Sequence, residues 1–306
     1  MMKHQSMMDV EERPRGIQKI RRLPDAALGA LWDSIIMDEK EKARLLSQAV
    51  LNFTVRPKVP RSVIPLHGVI LLVGPPGTGK TSLARGLAHR VAESFDGGRF
   101  RLLEVEPHSL ASAAHGKTQR AVTDLFSQSI AEAAAGGPTI VLLDEVETLA
   151  ADRSKLSLEA NPVDVHRATD AVLVQLDILA EEHPNLLFIA TSNFPKAVDG
   201  AFLSRCDMIM PVPLPDKDAC ARILADCLIG LGQTYAAIAK LASSPGFPPC
   251  AEACVGLDGR AIRKMVANAL ATNAKTALNP ALVTIEDLLA AAHAARKSRT
   301  AMETRS

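Results

Sequence analysis

The chain has 306 residues, of which 47% are apolar, and its 35 basic and 34 acidic residues leave a formal net charge of +1. This balance argues against a surface built mainly to neutralise nucleic-acid phosphates, so direct nucleic-acid binding is not expected. The length favours two domains. Because no apolar run approaches the roughly eighteen residues of a membrane span and the polar start lacks a signal-peptide core, we expect no membrane partner.

The N-terminal and central parts of the chain differ in pattern. Residues 1–24 are polar and charged without helical periodicity, and we expect a flexible tail there. From Ala26 the pattern becomes helical, and between residues 69 and 214 short apolar runs alternate with longer helical segments. That alternation predicts an α/β fold, with a parallel five-stranded sheet flanked by helices, in a large domain over residues 25–215. The predicted strands cover residues 69–73, 101–105, 139–143, 186–191 and 208–212.

The C-terminal part carries no strand signal. Residues 216–306 are rich in Ala and Leu and are predicted to form a small, mainly helical lid domain, whose last helix follows a capping box over residues 284–287. Five cysteines, odd in number and without paired zinc-ligand spacing, indicate reduced thiols and a cytoplasmic protein. They are Cys206, Cys220, Cys227, Cys250 and Cys254.

A phosphate-binding loop follows the first predicted strand and precedes an amphipathic helix. It consists of Gly74, Pro75, Pro76, Gly77, Thr78, Gly79, Lys80 and Thr81, and Ser82 follows it. The glycines allow backbone N–H groups to turn inward around a triphosphate, Lys80 reaches the β and γ oxygens, and the Thr81 hydroxyl is suited to Mg²⁺. An ordinary Gly/Pro-rich turn is the alternative, but the flanking strand and helix argue against it. The pattern predicts binding of ATP or GTP.

Two adjacent carboxylates end the predicted strand at residues 139–143. Asp144 is suited to accept hydrogen bonds from waters on Mg²⁺, and Glu145 to orient and polarise the water that attacks the γ-phosphate. Strand alternation sends the two side chains in different directions, which permits this division of roles. The alternative is a strand whose acidic end is simply solvated.

Three further polar residues complete the set of candidates. Asn193 ends the next strand and could hold the attacking water or a γ-phosphate oxygen, although a lone Asn is more often a turn residue. Arg205 could complete the site of a neighbouring subunit, or it could form a surface salt bridge to Asp207. Arg260 opens a helix of the second domain and could reach back to the γ-phosphate.

These motifs, in this order, resemble the AAA+ ATPases, whose members form rings and convert ATP hydrolysis into mechanical work on macromolecules. Several segments narrow the resemblance to the pachytene-checkpoint family, which remodels HORMA-domain proteins. Those segments are residues 31–38, 74–83, 143–147, 171–177, 191–193 and 259–264.

The resemblance implies a homohexamer that uses ATP and Mg²⁺ and acts on a HORMA-domain protein. It also implies that Ile35 and Ile36 contact the adenine, although a core role for both is an equal alternative. The substrate-gripping pore loop of the family falls at Ala113, Ala114 and His115, where family members often carry an aromatic residue.

About 30 residues precede Leu31, whereas eukaryotic relatives carry an additional N-terminal domain. This compact form resembles bacterial members that accompany HORMA proteins and nucleotidyltransferases in anti-phage signalling. The resemblance therefore implies a negative regulator of that signalling. The alternative is a nucleotide-dependent loader or scaffold acting on DNA-bound proteins, against which the near-neutral charge weighs.

Overall fold

The computed structural model describes residues 16–105, 107, 118–152 and 162–303. The described residues fall into two compact units. The first unit takes its residues from 1–29, 45–72 and 84–210, and the second takes its residues from 30–44, 73–83 and 211–306. These units interleave along the chain, so the domain limits expected from the sequence, 25–215 and 216–306, remain a proposal.

A six-stranded sheet forms the centre of the first unit, with the strand order β1-β3-β4-β5-β2-β6. The pairs β3–β4 and β4–β5 are parallel. Every strand predicted from the sequence is present, and the α/β fold is confirmed. The strands are β1 (Ile17–Leu23), β2 (Val69–Val73), β3 (Phe100–Val105), β4 (Thr139–Leu143), β5 (Leu186–Ser192) and β6 (Met208–Pro211).

The additional strand, β1, pairs antiparallel with β3. It lies within the segment expected to be a flexible tail, so that expectation is wrong for residues 17–23. Only Ile17 and Leu23, the two ends of the strand, are buried, while the residues between them are exposed or half-buried. A strand with so little burial has no clear apolar alternation, which is the signal that sequence reasoning uses.

Seven helices of the described residues precede, separate or follow these strands in the sequence and flank the sheet. They are α1 (Ala26–Ser34), α2 (Glu39–Val55), α3 (Lys80–Glu93), α4 (Thr118–Asp124), α5 (Ala131–Ala135), α6 (Pro162–Glu182) and α7 (Gly200–Leu203). A π-helical segment, Leu125–Ile130, joins α4 to α5. It places Phe126 in the core, where its ring stacks on Phe188 of β5 at a centroid distance of 5.8 Å.

The C-terminal part of the second unit is helical, as the sequence predicts. Its helices are α8 (Lys217–Gly232), α9 (Ala236–Ala239), α10 (Phe247–Ala253), α11 (Gly259–Leu270), α12 (Ala274–Leu278) and α13 (Ile285–Glu303). The predicted capping box is present, because the Asp287 carboxylate accepts from Thr284 N–H at 3.0 Å and the Thr284 hydroxyl accepts from Asp287 N–H at 3.3 Å.

All five cysteines are free. Cys220, Cys250 and Cys254 belong to the apolar core of the helical part, and burial raises the pKa of the Cys254 thiol to about 12. These thiols therefore pack as small apolar side chains.

Among the described residues, no helix combines the length and apolar composition that crossing a bilayer requires.

A buried carboxylate joins three elements of the first unit. Glu104 of β3 is 3% exposed. It accepts hydrogen bonds from Arg21 Nε of β1 at 3.1 Å and from Arg85 Nη2 of α3 at 2.7 Å. The carboxylate thus compensates two guanidinium groups and fixes the N-terminal strand to the sheet.

Replacing Glu104 with Ala should lower the free energy of unfolding by about 2–4 kcal/mol, because two guanidinium groups lose their common acceptor. Urea denaturation at neutral pH measures the change. Glu132→Ala removes an exposed carboxylate from α5 and is the matched control. Equal midpoints for the two variants would show that the Glu104 pairs do not stabilise the fold.

Candidate functional site

Glycines determine the path of the phosphate-binding loop. Gly77 and Gly79 have φ values of 84° and 93°, in the region that favours glycine. A Cβ on Gly74 would overlap the carbonyl oxygen of Val212, so the loop passes close to that backbone only because Gly74 has no side chain. The glycines that the sequence places in this loop are therefore required by its conformation.

Lys80 begins α3 and lies inside the loop, with 5% of the residue exposed. Its ammonium group donates to the carbonyl oxygens of Gly74 at 2.9 Å and Pro75 at 2.8 Å. The Thr78 hydroxyl also donates to the Pro75 oxygen, at 3.0 Å. The backbone N–H groups of the first turn of α3, together with this cation, make the loop suited to an anion such as a phosphate.

A cavity of about 830 Å³ adjoins the loop within the second unit. Gly77, Thr78, Gly79 and Ser82 line one part of it. Ile35 and Ile36 line another part, as does Arg260. This volume and the mixture of apolar walls with convergent polar groups fit a nucleoside triphosphate. Residues expected on the base side and on the phosphate side thus line one cavity, although Gly74, Pro75, Pro76, Lys80 and Thr81 are not among its lining residues.

The cavity also exposes cations that sequence reasoning missed. Arg263 and Lys264 lie three and four residues after Arg260, so all three share one face of α11 and line the cavity. Arg222 of α8 lines it as well. The spacing of residues 260, 263 and 264 could have predicted this cluster of cations, because intervals of three and four place side chains on one side of a helix. These cations favour an anionic ligand.

Asp144 and Glu145 are linked through a threonine of the neighbouring strand. The Thr191 hydroxyl donates to Asp144 Oδ1 at 2.5 Å and accepts from Glu145 N–H at 3.1 Å. Asn193 Nδ2 donates to Glu145 Oε1 at 3.0 Å, and Asn193 N–H donates to Glu147 Oε1 at 3.0 Å. The structure thus brings Asp144, Glu145 and Asn193 together, as expected from parallel strands β4 and β5.

Glu145 has an unusual backbone. Its φ of 54° makes it the only non-glycine residue with positive φ among those the structure describes. Such a conformation costs roughly 1–3 kcal/mol and is concentrated at functional sites. The turn after β4 therefore holds Glu145 in a strained backbone conformation. A strand end that is simply solvated would not require this conformation.

Thr191 and Glu147 were not assigned a role from the sequence. Leu143 of β4 lies opposite Ala190 of β5, so the next residues, Asp144 and Thr191, become neighbours. Strand register supplies this contact, and register is not visible in a single sequence. One oxygen of Glu147 is buried without a hydrogen-bond partner.

Arg205 forms a two-point ion pair with Asp177 of α6. Its Nε and Nη2 donate to the two oxygens of Asp177 at 2.9 and 2.6 Å, and its Nη1 donates to the Ala201 carbonyl at 2.8 Å. Hydrogen bonding to Arg205 lowers the pKa of the Asp177 carboxyl below its usual value.

The alternative of a salt bridge to Asp207 is wrong. The Asp207 carboxylate instead accepts from the backbone N–H groups of His67 at 2.9 Å and Gly68 at 2.7 Å. Asp207 therefore fixes the backbone that enters β2, and Arg205 has a different acidic partner.

Ala113, Ala114 and His115, expected in a pore loop, lie outside the described residues. Within the residues that the structure describes, no group of three or more His, Cys, Asp or Glu side chains is arranged to hold a metal ion.

Comparison with known proteins agrees with this architecture. The sequence profile of the AAA family, described as the ATPase family associated with various cellular activities, matches residues 70–214. The chain is 72% identical to CD-NTase-associated protein 6 of Pseudomonas aeruginosa over 286 residues, which cover 94% of each protein. The chain therefore belongs to the AAA ATPases.

The narrower resemblance to the pachytene-checkpoint family is confirmed as well. This AAA ATPase is 37% identical to the pachytene checkpoint protein 2 homolog of Gallus gallus over 213 residues, or 67% of the chain. That match covers 48% of the relative, so the chain spans about half its length.

Two solved structures share the fold. C. elegans PCH-2 gives a TM-score of 0.71 at 25% identity, covering 95% of this ATPase and 77% of that chain. A chain of the E. coli MS115-1 HORMA:CdnC:Trip13 complex also gives 0.71, at 19% identity, covering 90% and 94% of the two chains.

Replacing Thr191 with Val should lower ATP turnover by about tenfold while leaving nucleotide affinity nearly unchanged, because the change removes only the hydroxyl that links Asp144 to Glu145. Steady-state kinetics and nucleotide titration separate the two effects. Thr191→Ser keeps the hydroxyl and should stay close to wild type. A similar loss of turnover in the Ser variant would assign the effect to packing instead.

Proposed function

We propose that this protein is an ATP-hydrolysing, ring-forming remodeller that partly unfolds a HORMA-domain protein and disassembles its complexes, and thereby restrains bacterial anti-phage signalling. The 72% identity to CD-NTase-associated protein 6 over 94% of both chains carries the proposal. The E. coli HORMA:CdnC:Trip13 complex, which contains a chain of this fold, supports the choice of partner.

ATP is the proposed nucleotide, bound by the loop that includes Gly74, Pro76 and Thr81. Support comes from the loop geometry, since Lys80 and the first turn of α3 supply positive charge and N–H donors. Ile35 and Ile36 would pack against the base, and Arg260 would bind a phosphate oxygen. Arg263, Lys264 and Arg222 add positive charge around the same cavity.

Glu145 is the proposed general base that activates the attacking water. Its hydrogen bond to Asn193 and its fixed backbone support this role, because a base must be held in position before the water binds. Asn193 would orient the water or a γ-phosphate oxygen. Thr81 and Asp144 would hold Mg²⁺, which supplies charge neutralisation for the phosphates when it is bound.

Arg205 is the proposed catalytic arginine of a neighbouring subunit in a homohexamer. A guanidinium group has five N–H donors in a fixed plane, and Asp177 and Ala201 engage three of them. A planar cation held in this way keeps donors for phosphoryl oxygens at little further entropy cost.

Glu145→Gln should bind ATP with nearly wild-type affinity but turn it over at least about a hundredfold more slowly, because the amide cannot accept the proton of water. Such a variant should retain a bound HORMA-domain protein in the presence of ATP, as measured by co-purification. Lys80→Ala, which loses the loop cation, is the matched control and should retain no HORMA protein.

Wild-type turnover by Glu145→Gln would contradict the catalytic assignment. Stimulation of ATP hydrolysis by duplex DNA, without stimulation by a HORMA-domain protein, would instead favour a loader or scaffold acting on DNA-bound proteins. The near-neutral charge of the chain argues against that alternative.

Arg205→Ala should lower turnover by about a thousandfold, since a catalytic arginine supplied in trans is typically worth at least that much. Mixing Arg205→Ala subunits with Lys80→Ala subunits should restore measurable ATP hydrolysis, because each supplies what the other lacks. If the mixture stayed as inactive as its separate components, the assignment of Arg205 to a neighbour's nucleotide would fail.

A further inference from the structure

Asp258 contacts three separate parts of the second unit. It precedes α11, and its Oδ1 accepts from Ala261 N–H at 2.9 Å, as an N-cap does. Its Oδ2 lies 3.5 Å from Arg299 Nη1 of α13. Its carboxylate also occupies the space beside Gly77, where a Cβ would overlap Asp258 Oδ1 and Cγ.

This position of Asp258 is unfavourable for a loop that binds phosphate. A carboxylate packed against Gly77 places a negative charge next to the loop that should receive an anion. Capping of α11 does not require that charge, because Asn caps helices about as well as Asp. The carboxylate is 18% exposed, so solvent screens it only in part.

Arg299 supplies the compensating charge. Its side chain is 25% exposed and reaches Asp258 from the last helix of the chain, 41 residues further along the sequence. The residues that line the nucleotide cavity include Arg260, Arg263 and Lys264 of α11 but not Arg299. Arg299 is therefore placed to act on the loop through Asp258 and not by lining the cavity.

We propose that the Asp258–Arg299 pair sets the affinity of the phosphate-binding loop for nucleotide, with Arg299 neutralising a carboxylate that otherwise repels the phosphates. Arg299 is a positioning residue in this scheme, since it acts through Asp258. The inference rests on the proposed nucleotide binding by the loop.

The two partners should have opposite effects when their charges are removed. Arg299→Gln leaves the Asp258 charge uncompensated and should weaken ADP binding about tenfold. Asp258→Asn keeps the cap and removes the negative charge beside Gly77, so it should strengthen ADP binding about threefold or more. The double variant should return close to wild type. Isothermal titration with ADP at low salt measures these affinities without interference from hydrolysis.

Arg296→Gln is the matched control, because Arg296 is an exposed arginine one turn earlier on α13. It should bind ADP like wild type. The proposal is overturned if Arg299→Gln binds ADP as tightly as Arg296→Gln, or if both single variants and the double variant are weakened alike, as a purely structural contact would require. Absence of ADP binding by the wild-type protein would instead refute the proposed nucleotide site itself.

Discussion

The candidate site depends on three positions at which the backbone tolerates no Cβ. Gly77 and Gly79 hold positive φ values, and Gly74 passes against the carbonyl oxygen of Val212. A side chain at any of these positions would displace the loop. Lys80 would then lose its carbonyl acceptors, and the first turn of α3 would no longer face the cavity. The roles proposed for Ile35 and Ile36, for the cations of α11 and for Asp258 all require this loop conformation.

Much of the fold could be predicted from the sequence, because buried strands of such a sheet consist of short runs of apolar residues. The strands at residues 69–73 and 139–143 coincide with their predicted limits for that reason. The phosphate-binding loop was predictable on different grounds, since its glycine spacing reflects backbone conformation directly. Asp144, Glu145 and Asn193 could be grouped because successive strands of a parallel sheet end at the same edge.

Other features required information that no local pattern contains. The role of Thr191 follows from the register between β4 and β5, and the choice of Asp177 over Asp207 as the partner of Arg205 follows from tertiary packing. β1 was missed because its burial is confined to its ends. Asp258 illustrates the same limit, because its approach to Gly77 arises from tertiary packing.

β1 occupies one end of the strand order, so its outer side has no neighbouring strand within the described sheet. The side chains of Lys19, Ile20 and Arg22 are exposed along it. Cationic residues on an edge strand disfavour pairing with a strand of another chain, because that pairing would remove water from the charged groups. This protein is proposed to act on extended polypeptides. The cations on β1 therefore disfavour an intermolecular β-sheet with the substrate or with a second copy of the chain.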